Sequence, residues 1–185
     1  MAKLIYSMLT SLDGYVADKD GHFRWAAPDE EVHAFITNLE RNTSTFLLGR
    51  RMYEVLAVWE TMPEDGPSSA SNEYGKIWRT ANKIVYSTSL IKPATKRTVI
   101  KPEFDVEAIR RLKSQSKQNL VIGGPQLAAE AIRAGLVDEF HQFIAPMVVG
   151  GGNYWLPQDI KIKLELGGVQ KFEKGFVHLH YNASD

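Results

Sequence analysis

The stretch that decides the fold is Asn119-Leu120-Val121-Ile122-Gly123-Gly124-Pro125-Gln126-Leu127. Its first four residues predict a buried strand, and Pro125 predicts the start of a helix because its fixed φ suits the first turn. Two glycines between strand and helix allow a phosphate to approach the backbone N–H groups closely. A tight strand-to-helix turn explains the same two glycines, so this stretch alone leaves both interpretations open.

A second segment has the same layout and adds two positive charges. Residues 45–48 predict a short buried strand, and Gly49 leads into a helix that is expected to reach Val58. Arg50 and Arg51 stand where basic side chains oppose the helix dipole, so a bound anion explains them better than chance does. Arginine binds phosphate through paired hydrogen bonds, although a solvated basic helix start remains the alternative.

Hydroxyl groups end a third predicted strand, and a turn ends the first. Ser87-Thr88-Ser89 follows the strand expected over residues 83–87, and its hydroxyls suit either a ribose 2′-phosphate or the cap of a turn. Ser11-Leu12-Asp13-Gly14 follows the strand expected over residues 3–9. Four such segments in this order indicate a bound dinucleotide and redox chemistry. The G-x-G-x-x-G motif is absent, which disfavours an ordinary Rossmann domain.

The remaining pattern alternates helices and strands and then ends in strands. Long loops are expected over residues 11–27 and 60–72, and Gly150-Gly151-Gly152 predicts a flexible turn. Helices are predicted from Pro28, over 73–80, over 105–115 and from Pro125 to Gly135; further strands are predicted over 98–101, 138–149 with a bend near Pro146, 160–166 and 175–181. This order indicates an α/β sheet that is largely parallel, with antiparallel strands at its C-terminal end.

Composition excludes several classes of protein. The 185 residues predict one domain with a sizeable core. The 22 basic residues balance the 22 acidic ones, which argues against binding nucleic acid through bulk charge. Cysteine is absent, which excludes disulfides, thiol nucleophiles and cysteine-ligated zinc. The sequence has neither an apolar run long enough to span a membrane nor a signal peptide, so a cytoplasmic protein is expected.

In combination, the four segments resemble the dihydrofolate reductase fold superfamily, and more closely the reductase domain of the bifunctional riboflavin-biosynthesis deaminase-reductase. The resemblance extends from Lys3 to Tyr181 and implies a single three-layer domain with a mixed, mainly parallel sheet of about eight strands. Its motifs are Ser11-Leu12-Asp13-Gly14 with Ala17, Gly49-Arg50 with Tyr53-Glu54, Val85-Tyr86-Ser87-Thr88, and Gly123-Gly124 with Leu127.

The resemblance implies NADPH as the cofactor and assigns residues to its parts. The nicotinamide would lie along Leu9, Val16 and Ala17. The hydroxyls of Ser87, Thr88 and Ser89 would meet the 2′-phosphate. The adenosine phosphates would meet Gly49, Arg50, Arg51 and Met52 from one side, and Gly123, Gly124, Gln126 and Leu127 would hold the pyrophosphate from the other. The loop from Asp13 to Trp25 would act as a lid that excludes water during hydride transfer.

The substrate side rests on fewer residues. Glu31 and Phe35 have the spacing of the carboxylate and phenylalanine on the first helix of dihydrofolate reductases. Glu31 is therefore a candidate to bind a pteridine-like or pyrimidine ring and to assist protonation of the substrate. A solvated acid in the first turn of a helix is the alternative. Asp13 either contacts substrate and assists protonation or orders its own turn. Trp25, Phe35 and Tyr53 are the candidates to contact a flat ring.

Two histidines and one glycine-rich segment remain. His178 and His180 share one face of a strand; a solvent-facing pair is expected there, and no metal site. Residues 147–152 with Tyr154 and Trp155 are apolar and resemble a region near subunit contacts, which suggests a homodimer.

The chain departs from both subfamilies at the residues that would choose a substrate. The riboflavin reductase usually has lysine where Tyr15 stands, and dihydrofolate reductases have glycine and a basic residue where Pro125 and Gln126 stand. The cysteine and histidine zinc ligands of a deaminase domain are missing. We therefore expect an NADPH-dependent reductase of a small nitrogen heterocycle or a ribosylamino-pyrimidine. Dihydrofolate reductase, a non-catalytic NADPH-binding regulator and a domain without nucleotide are the alternatives.

Overall fold

The computed structural model of the protein describes residues 2–63 and 68–184. Ten strands and five α-helices occur in that part of the chain, with single 3₁₀ turns at Arg24–Ala26 and Ala57–Glu60. In chain order they are β1 (Leu4–Thr10), β2 (Tyr15–Ala17), α1 (Glu30–Glu40), β3 (Thr43–Gly49), α2 (Arg50–Leu56), α3 (Ser69–Thr80), β4 (Asn82–Tyr86), β5 (Thr98–Lys101), α4 (Val106–Gln115), β6 (Asn119–Gly123), α5 (Pro125–Arg133), β7 (Glu139–Ile144), β8 (Asn153–Tyr154), β9 (Leu164–Lys171) and β10 (Val177–Ala183).

Eight of these strands form one sheet in the order β5-β4-β3-β6-β1-β7-β10-β9. The first six pair in parallel, while β10 pairs antiparallel with both β7 and β9. The predicted fold class, an α/β sheet with antiparallel C-terminal strands, is therefore confirmed. Because the six strands are parallel, the loops that follow them leave the sheet at a single edge, which we call the loop edge.

Both faces of the central strands are buried, which explains their continuous apolar runs, whereas the edge strands β5 and β9 are partly exposed. Leu4 and Tyr6 on β1 point to one face, where α4 and α5 cover them through Ile109 and Ala128. Ile5 points to the other face, where Phe46 and Trp78 belong to the same cluster. Helix α1 continues that second layer and packs Val32 among the aromatic rings at the far side of the sheet.

Several predicted boundaries are wrong, and each error has a local cause. The strand expected over 138–149 ends at Ile144, because Pro146 and the glycines that follow leave the ladder. The strand expected over 160–166 lies at Leu164–Lys171. Helix α3 begins at Ser69, inside the loop expected over 60–72, because Ser68 caps it by accepting a hydrogen bond from the Ser71 N–H. Residues 64–67 of that expected loop lie outside the described residues.

The first helix begins two residues later than predicted. Pro28 precedes the helix, and Asp29 is its N-cap, whose carboxylate accepts a hydrogen bond from the Val32 N–H at 3.0 Å. Aspartate is a preferred capping residue for this reason, and two glutamates in the first turn add favourable charge at the positive end of the dipole. None of the helices in the described ranges is both long and apolar enough to cross a membrane.

The loop expected over 11–27 contains a short strand that ties it to the segment 147–155. Strand β2 pairs with β8, and the Leu12 N–H donates to the Met147 carbonyl at 2.7 Å. Asp13 accepts hydrogen bonds from the N–H groups of Val149 and Gly150 at 3.2 and 2.8 Å. Gly152 has φ +133°, and a Cβ added there would lie 2.1 Å from the Ala17 carbonyl oxygen. The glycine run, which was expected to form a flexible turn, is thus packed against the first loop.

We expect Gly152→Ala to lower the free energy of unfolding by about 1–3 kcal/mol, since the new methyl group meets backbone at a positive φ. Gly21→Ala is the matched control: Gly21 has φ +82° but nothing within 4 Å of the added Cβ. It should lose only the cost of the left-handed backbone, about 1 kcal/mol. Chemical denaturation measures both variants. Equal losses would show that the contact between Gly152 and Ala17 contributes nothing.

Candidate active site

A large cleft opens at the loop edge of the sheet, with a volume of about 1570 Å³. Its walls come from the ends of β1, β3, β4 and β6, from the start of α2 and α5, and from the cleft-facing side of α1. A cleft outside the carboxyl ends of parallel strands is the usual place for a ligand in an α/β sheet. The cleft is lined by all of the residues predicted to hold a cofactor: Leu9, Val16, Ala17, Gly49, Arg50, Arg51, Met52, Ser87, Thr88, Ser89, Gly123, Gly124, Gln126 and Leu127.

Two glycine turns meet in the middle of this cleft because β3 and β6 are neighbours in the sheet. Leu48 pairs with Gly123 in parallel register, so the turn after each strand begins at the same level. Gly124 has φ +97°, and a Cβ added there would lie 4.0 Å from the backbone nitrogen of Gly49. A Cβ on Gly123 would come within 2.9 Å of the Leu48 side chain. Glycine is therefore required at Gly124 by backbone conformation and at Gly123 by space.

Some polar side chains around these turns bond to other residues of the protein, and others are exposed in the cleft. Arg50 forms an ion pair with Glu54 at 3.0 Å, four residues along the helix, and both side chains are largely exposed. Arg51 is exposed at the cleft. The Ser87 hydroxyl accepts hydrogen bonds from the N–H groups of Ser89 and Leu90. It therefore caps the turn, which is one of the two roles that the sequence suggested. Thr88 is exposed in the cleft.

Helix α1 contributes side chains to the cleft, but they are not the predicted ones. Glu31 lies outside the cleft, where its carboxylate accepts a hydrogen bond from the Glu173 N–H at 3.0 Å. Phe35 packs against Phe143 and Phe172, with ring centroids 5.9 and 5.5 Å apart. The spacing of Glu31 and Phe35 does place them on one face, but that face packs against the antiparallel end of the sheet.

The cleft-facing side of α1 carries His33, Ile36 and Glu40 instead. The His33 ring lies 5.3 Å from the Trp59 ring and 5.9 Å from the Tyr74 ring, measured between centroids. Burial lowers the pKa of His33, so the imidazole is neutral at neutral pH. Sequence reasoning missed this face. The i, i+3, i+7 spacing of His33, Ile36 and Glu40 could have revealed this face, because it places a histidine and a glutamate on the same side of the helix.

Glu40 is the most unusual titratable group of the cleft. Its side chain is buried, and the Tyr74 hydroxyl donates a hydrogen bond to it at 2.8 Å. Burial raises the pKa of Glu40 to about 7, although the hydrogen bond from Tyr74 acts in the opposite direction. A carboxyl group with a pKa near neutrality can either hold or release a proton under working conditions, as general acids and bases do.

The other residues predicted to touch substrate do not line the cleft in the described part of the chain. Tyr53 is 1% exposed, and its hydroxyl accepts hydrogen bonds from the N–H groups of Ala94 and Thr95, which gives it a packing role. Trp25 donates its indole N–H to the His22 carbonyl within the first loop. Asp13 holds Val149 and Gly150, and the hydrogen bond from Ser11 lowers its pKa, so its observed role is to order the loop.

The sequence profile of the RibD C-terminal domain matches residues 2–178 of this chain. The chain belongs to the RibD C-terminal domain family. An uncharacterized protein of Bacillus subtilis (strain 168), YyaP, is 24% identical over 181 residues, which cover 97% of this chain and 94% of that protein. The family expected from the four segments is therefore confirmed.

Solved structures with the same fold include RibD-family proteins and a dihydrofolate reductase. A putative riboflavin biosynthesis protein from Shewanella sp. PV-4 superposes with a TM-score of 0.75, 19% identity and full coverage of both chains. Dihydrofolate reductase from Enterococcus faecalis, solved in complex with NADP(H) and RAB-propyl, gives 0.61 and 18% identity over 99% of this chain and 97% of that one. A deaminase/reductase from Thermotoga maritima superposes with a TM-score of 0.69 and 16% identity. The match covers 99% of this chain but 57% of the Thermotoga protein.

We expect Tyr53→Phe to lower the free energy of unfolding by about 1–3 kcal/mol, because two buried N–H groups lose their acceptor. The apparent affinity for a cofactor should stay unchanged, since Tyr53 does not line the cleft. Tyr154→Phe, at a partly exposed ring, is the control and should change stability by less than about 0.5 kcal/mol. A Tyr53→Phe variant of normal stability and altered ligand affinity would contradict the packing role.

Glu40 makes stability depend on pH with a definite sign. Its pKa is about 7 in the folded protein and 4.5 for an exposed glutamate, so the folded state holds more protons between these values. Its contribution to stability is full below about pH 4.5 and is lost as the pH rises through about 7. Glu40→Gln does not titrate. As the pH rises from about 5 to about 8, we expect the free energy of unfolding of the variant to increase by about 1–3 kcal/mol relative to that of wild type. Urea denaturation at each pH measures this difference. A constant difference across this range would contradict the raised pKa.

Proposed function

We propose that this RibD-family protein is an NADPH-dependent reductase that transfers a hydride to a small nitrogen heterocycle or a ribosylamino-pyrimidine. The observation that carries the proposal is the meeting of two glycine turns, Gly49 and Gly123-Gly124, at adjacent strand ends in one cleft. Such turns present backbone N–H groups at close range, which is what a pyrophosphate requires. The family, whose fold is shared with dihydrofolate reductase, supports the same reaction class.

The residues present fit NADPH on physical grounds. At Gly123 and Gly124 an added Cβ would meet the Leu48 or Met52 side chain, and the first N–H groups of α5 have no partner within the helix. We assign the pyrophosphate to this turn together with Gly49, and the 2′-phosphate to Thr88 with Arg51. Leu9, Val16 and Ala17 form an apolar wall for the nicotinamide. When bound, NADPH would supply the hydride, and the chain would supply orientation and exclusion of water.

The substrate would bind between the nicotinamide wall and the cleft-facing side of α1. Ile36 and Phe143 give an apolar floor, and Trp59 stands beside His33 as a flat surface against which a heterocycle can stack. The neutral imidazole of His33 can donate or accept a hydrogen bond to the ring. Glu40 can hold a proton near neutral pH, and we assign it the role of protonating the reduced atom in place of Glu31.

Dihydrofolate reductase activity is less well supported than reduction of another heterocycle. The carboxylate of the first helix that would bind a pteridine was expected at Glu31, and Glu31 faces away from the cleft. A homodimer also stays a prediction. Leu12, Met147 and Val148 form an exposed apolar group beside the glycine run, which is the region where a subunit contact was expected.

The decisive test of cofactor binding is a titration with NADPH and NADH that follows nicotinamide fluorescence. We expect wild type to bind NADPH more tightly than NADH, and Gly124→Ala to raise the Kd for NADPH by about tenfold or more, because its Cβ enters the phosphate turn. Gly135→Ala is the matched control. Gly135 also has a positive φ and nothing within 4 Å of the added Cβ, but it lies at the other end of α5.

The result that would overturn the proposal is the absence of NADPH binding by a folded wild-type protein. Equal losses in Gly124→Ala and Gly135→Ala would show that the phosphate turn has no special part in binding. Tight NADPH binding without oxidation by any heterocycle would instead favour a non-catalytic nucleotide-binding regulator. With an active substrate in hand, Glu40→Gln should lower kcat while the Kd for NADPH stays unchanged, because Glu40 lies on the substrate side of the cleft.

A further inference from the structure

Three histidines and a glutamate form a largely buried cluster along β7 and β10, beginning at the end of the sheet opposite the loop edge. We call Glu139, His141, His178 and His180 the histidine row. Glu139 is the first residue of β7, and His141 pairs across the ladder with His180 of β10. The expected solvent-facing pair is wrong, because His178 is 4% exposed and stacks on His141. No part of the proposed reductase site uses this row.

Three members of the row bring metal-binding atoms close together. Glu139, His141 and His180 each offer one such atom, and these atoms lie within 4.8 Å of one another. Nε2 of His141 is 3.4 Å from one carboxylate oxygen of Glu139, and Nε2 of His180 is 4.0 Å from the other. Ligands about 2.0–2.1 Å from a tetrahedral metal lie only slightly closer to one another than these pairs do.

The polar atoms of the row are not all satisfied within the described residues. Nε2 of His180 is buried and has no hydrogen-bond partner, which costs free energy unless another group binds it. The backbone of β9 closes the other side of the ring, since a Cβ on Gly167 would lie 2.7 Å from Nδ1 of His180. The unsatisfied nitrogen therefore belongs to the side of the ring that approaches Glu139.

His178 contacts the second ring nitrogen of His141, as neighbouring residues do for histidines that bind metals. Nδ1 of His141 and Nε2 of His178 are 2.9 Å apart and share a hydrogen bond. That bond leaves Nε2 of His141 as the atom that faces Glu139. Histidines that bind metals commonly use their second ring nitrogen in such a bond, which orients the ring and sets its tautomer.

A cation already lies at this carboxylate. The ammonium group of Lys3 bonds to the nearly buried Glu139, but the Lys3 side chain is 54% exposed, so it can move into water when another cation takes its place at the carboxylate. The rings of His141 and His180 are stacked, with centroids 4.3 Å apart. His180, with 23% of its side chain exposed, must turn out of this stack for both Nε2 atoms to point at one ion.

We propose that Glu139, His141 and His180 bind a divalent transition-metal ion of the Zn²⁺ type, with Lys3 as the competing internal cation. Two imidazoles and one carboxylate form a known zinc ligand set, and water would complete the tetrahedron at the exposed side. The ligands come from β7, the last parallel strand, and from β10, which pairs antiparallel with it. The ion would therefore link the parallel and antiparallel parts of the sheet. Its role is to stabilise the fold, and it takes no part in hydride transfer.

The test uses Co²⁺ as a coloured substitute for Zn²⁺, added to tag-free protein that a chelator has stripped of metal. We expect one Co²⁺ per chain with visible absorption typical of low coordination number, displaced by Zn²⁺, and a melting temperature that rises with either ion. His180→Gln should weaken Co²⁺ binding by roughly 100-fold or more, because one of three protein ligands is lost. Lys3→Met should strengthen binding by roughly tenfold, since it removes the competing charge.

His22→Gln is the control for adventitious binding, because His22 belongs to an exposed group with Asp18 and Asp20. Absence of Co²⁺ binding by wild type would overturn the proposal. So would binding that His180→Gln leaves intact or that His22→Gln removes. If His180→Gln fails to fold, Lys3→Met decides alone: tighter binding supports the site, and unchanged binding contradicts it. NADPH affinity of the metal-stripped protein should stay unchanged, so this test is independent of the proposed reductase activity.

Discussion

The parallel pairing of β3 with β6 is the constraint on which the cleft depends. Leu48 opposite Gly123 sets the level at which both chains leave the sheet, and the backbone of Gly49 consequently lies beside Gly124. On the other side of β3, Gly49 pairs with Tyr86, which brings the hydroxyls after β4 to the same edge. A register slip of one residue would turn every side chain of a strand to the opposite face, and both faces here are buried. Burial of these strands thus fixes the geometry of the two glycine turns.

A second set of contacts builds the apolar wall that faces those turns. The first loop is held through Asp13, through the pairing of β2 with β8 and through the close approach of Gly152 to Ala17. These contacts place Val16 and Ala17 on the cleft. Opposite this wall, α1 supplies one neutral histidine and one carboxyl of raised pKa from a single stripe. The two glycine turns, an apolar middle and a carboxyl group of raised pKa therefore occur along one cleft, which is the arrangement that the proposed hydride transfer to a ring requires.

The residues predicted for the cofactor all line the cleft, whereas those predicted for the substrate do not, and this difference has a physical reason. Glycine, hydroxyl and arginine positions at strand ends are local signals, and parallel pairing brings strand ends together without further information. The substrate side depends on which stripe of α1 faces the sheet. Glu31 and Phe35 have a plausible spacing, yet Phe35 packs against Phe143 and Phe172 and does not itself line the cleft. Tyr53 follows the predicted cofactor residues in sequence, but its hydroxyl accepts hydrogen bonds from the N–H groups of Ala94 and Thr95, about forty residues further along the chain. Long-range packing of this kind has no signature in a single sequence.

The histidine row was not predicted for a similar reason. It forms only because β7 and β10 pair in the sheet, and the local sequence pattern does not show which strands pair.

The most direct test of the dinucleotide site is the backbone amide spectrum of ¹⁵N-labelled protein during titration with NADP⁺. We predict that the largest shifts fall on Gly49, Gly124 and Gln126, whose N–H groups would meet the pyrophosphate, with smaller shifts at Thr88. The amide of Glu139, at the end of β7 opposite the cleft, should not move. Shifts that avoid the two glycine turns, or a spectrum that NADP⁺ leaves unchanged, would contradict the claim that the register of β3 and β6 builds a dinucleotide site.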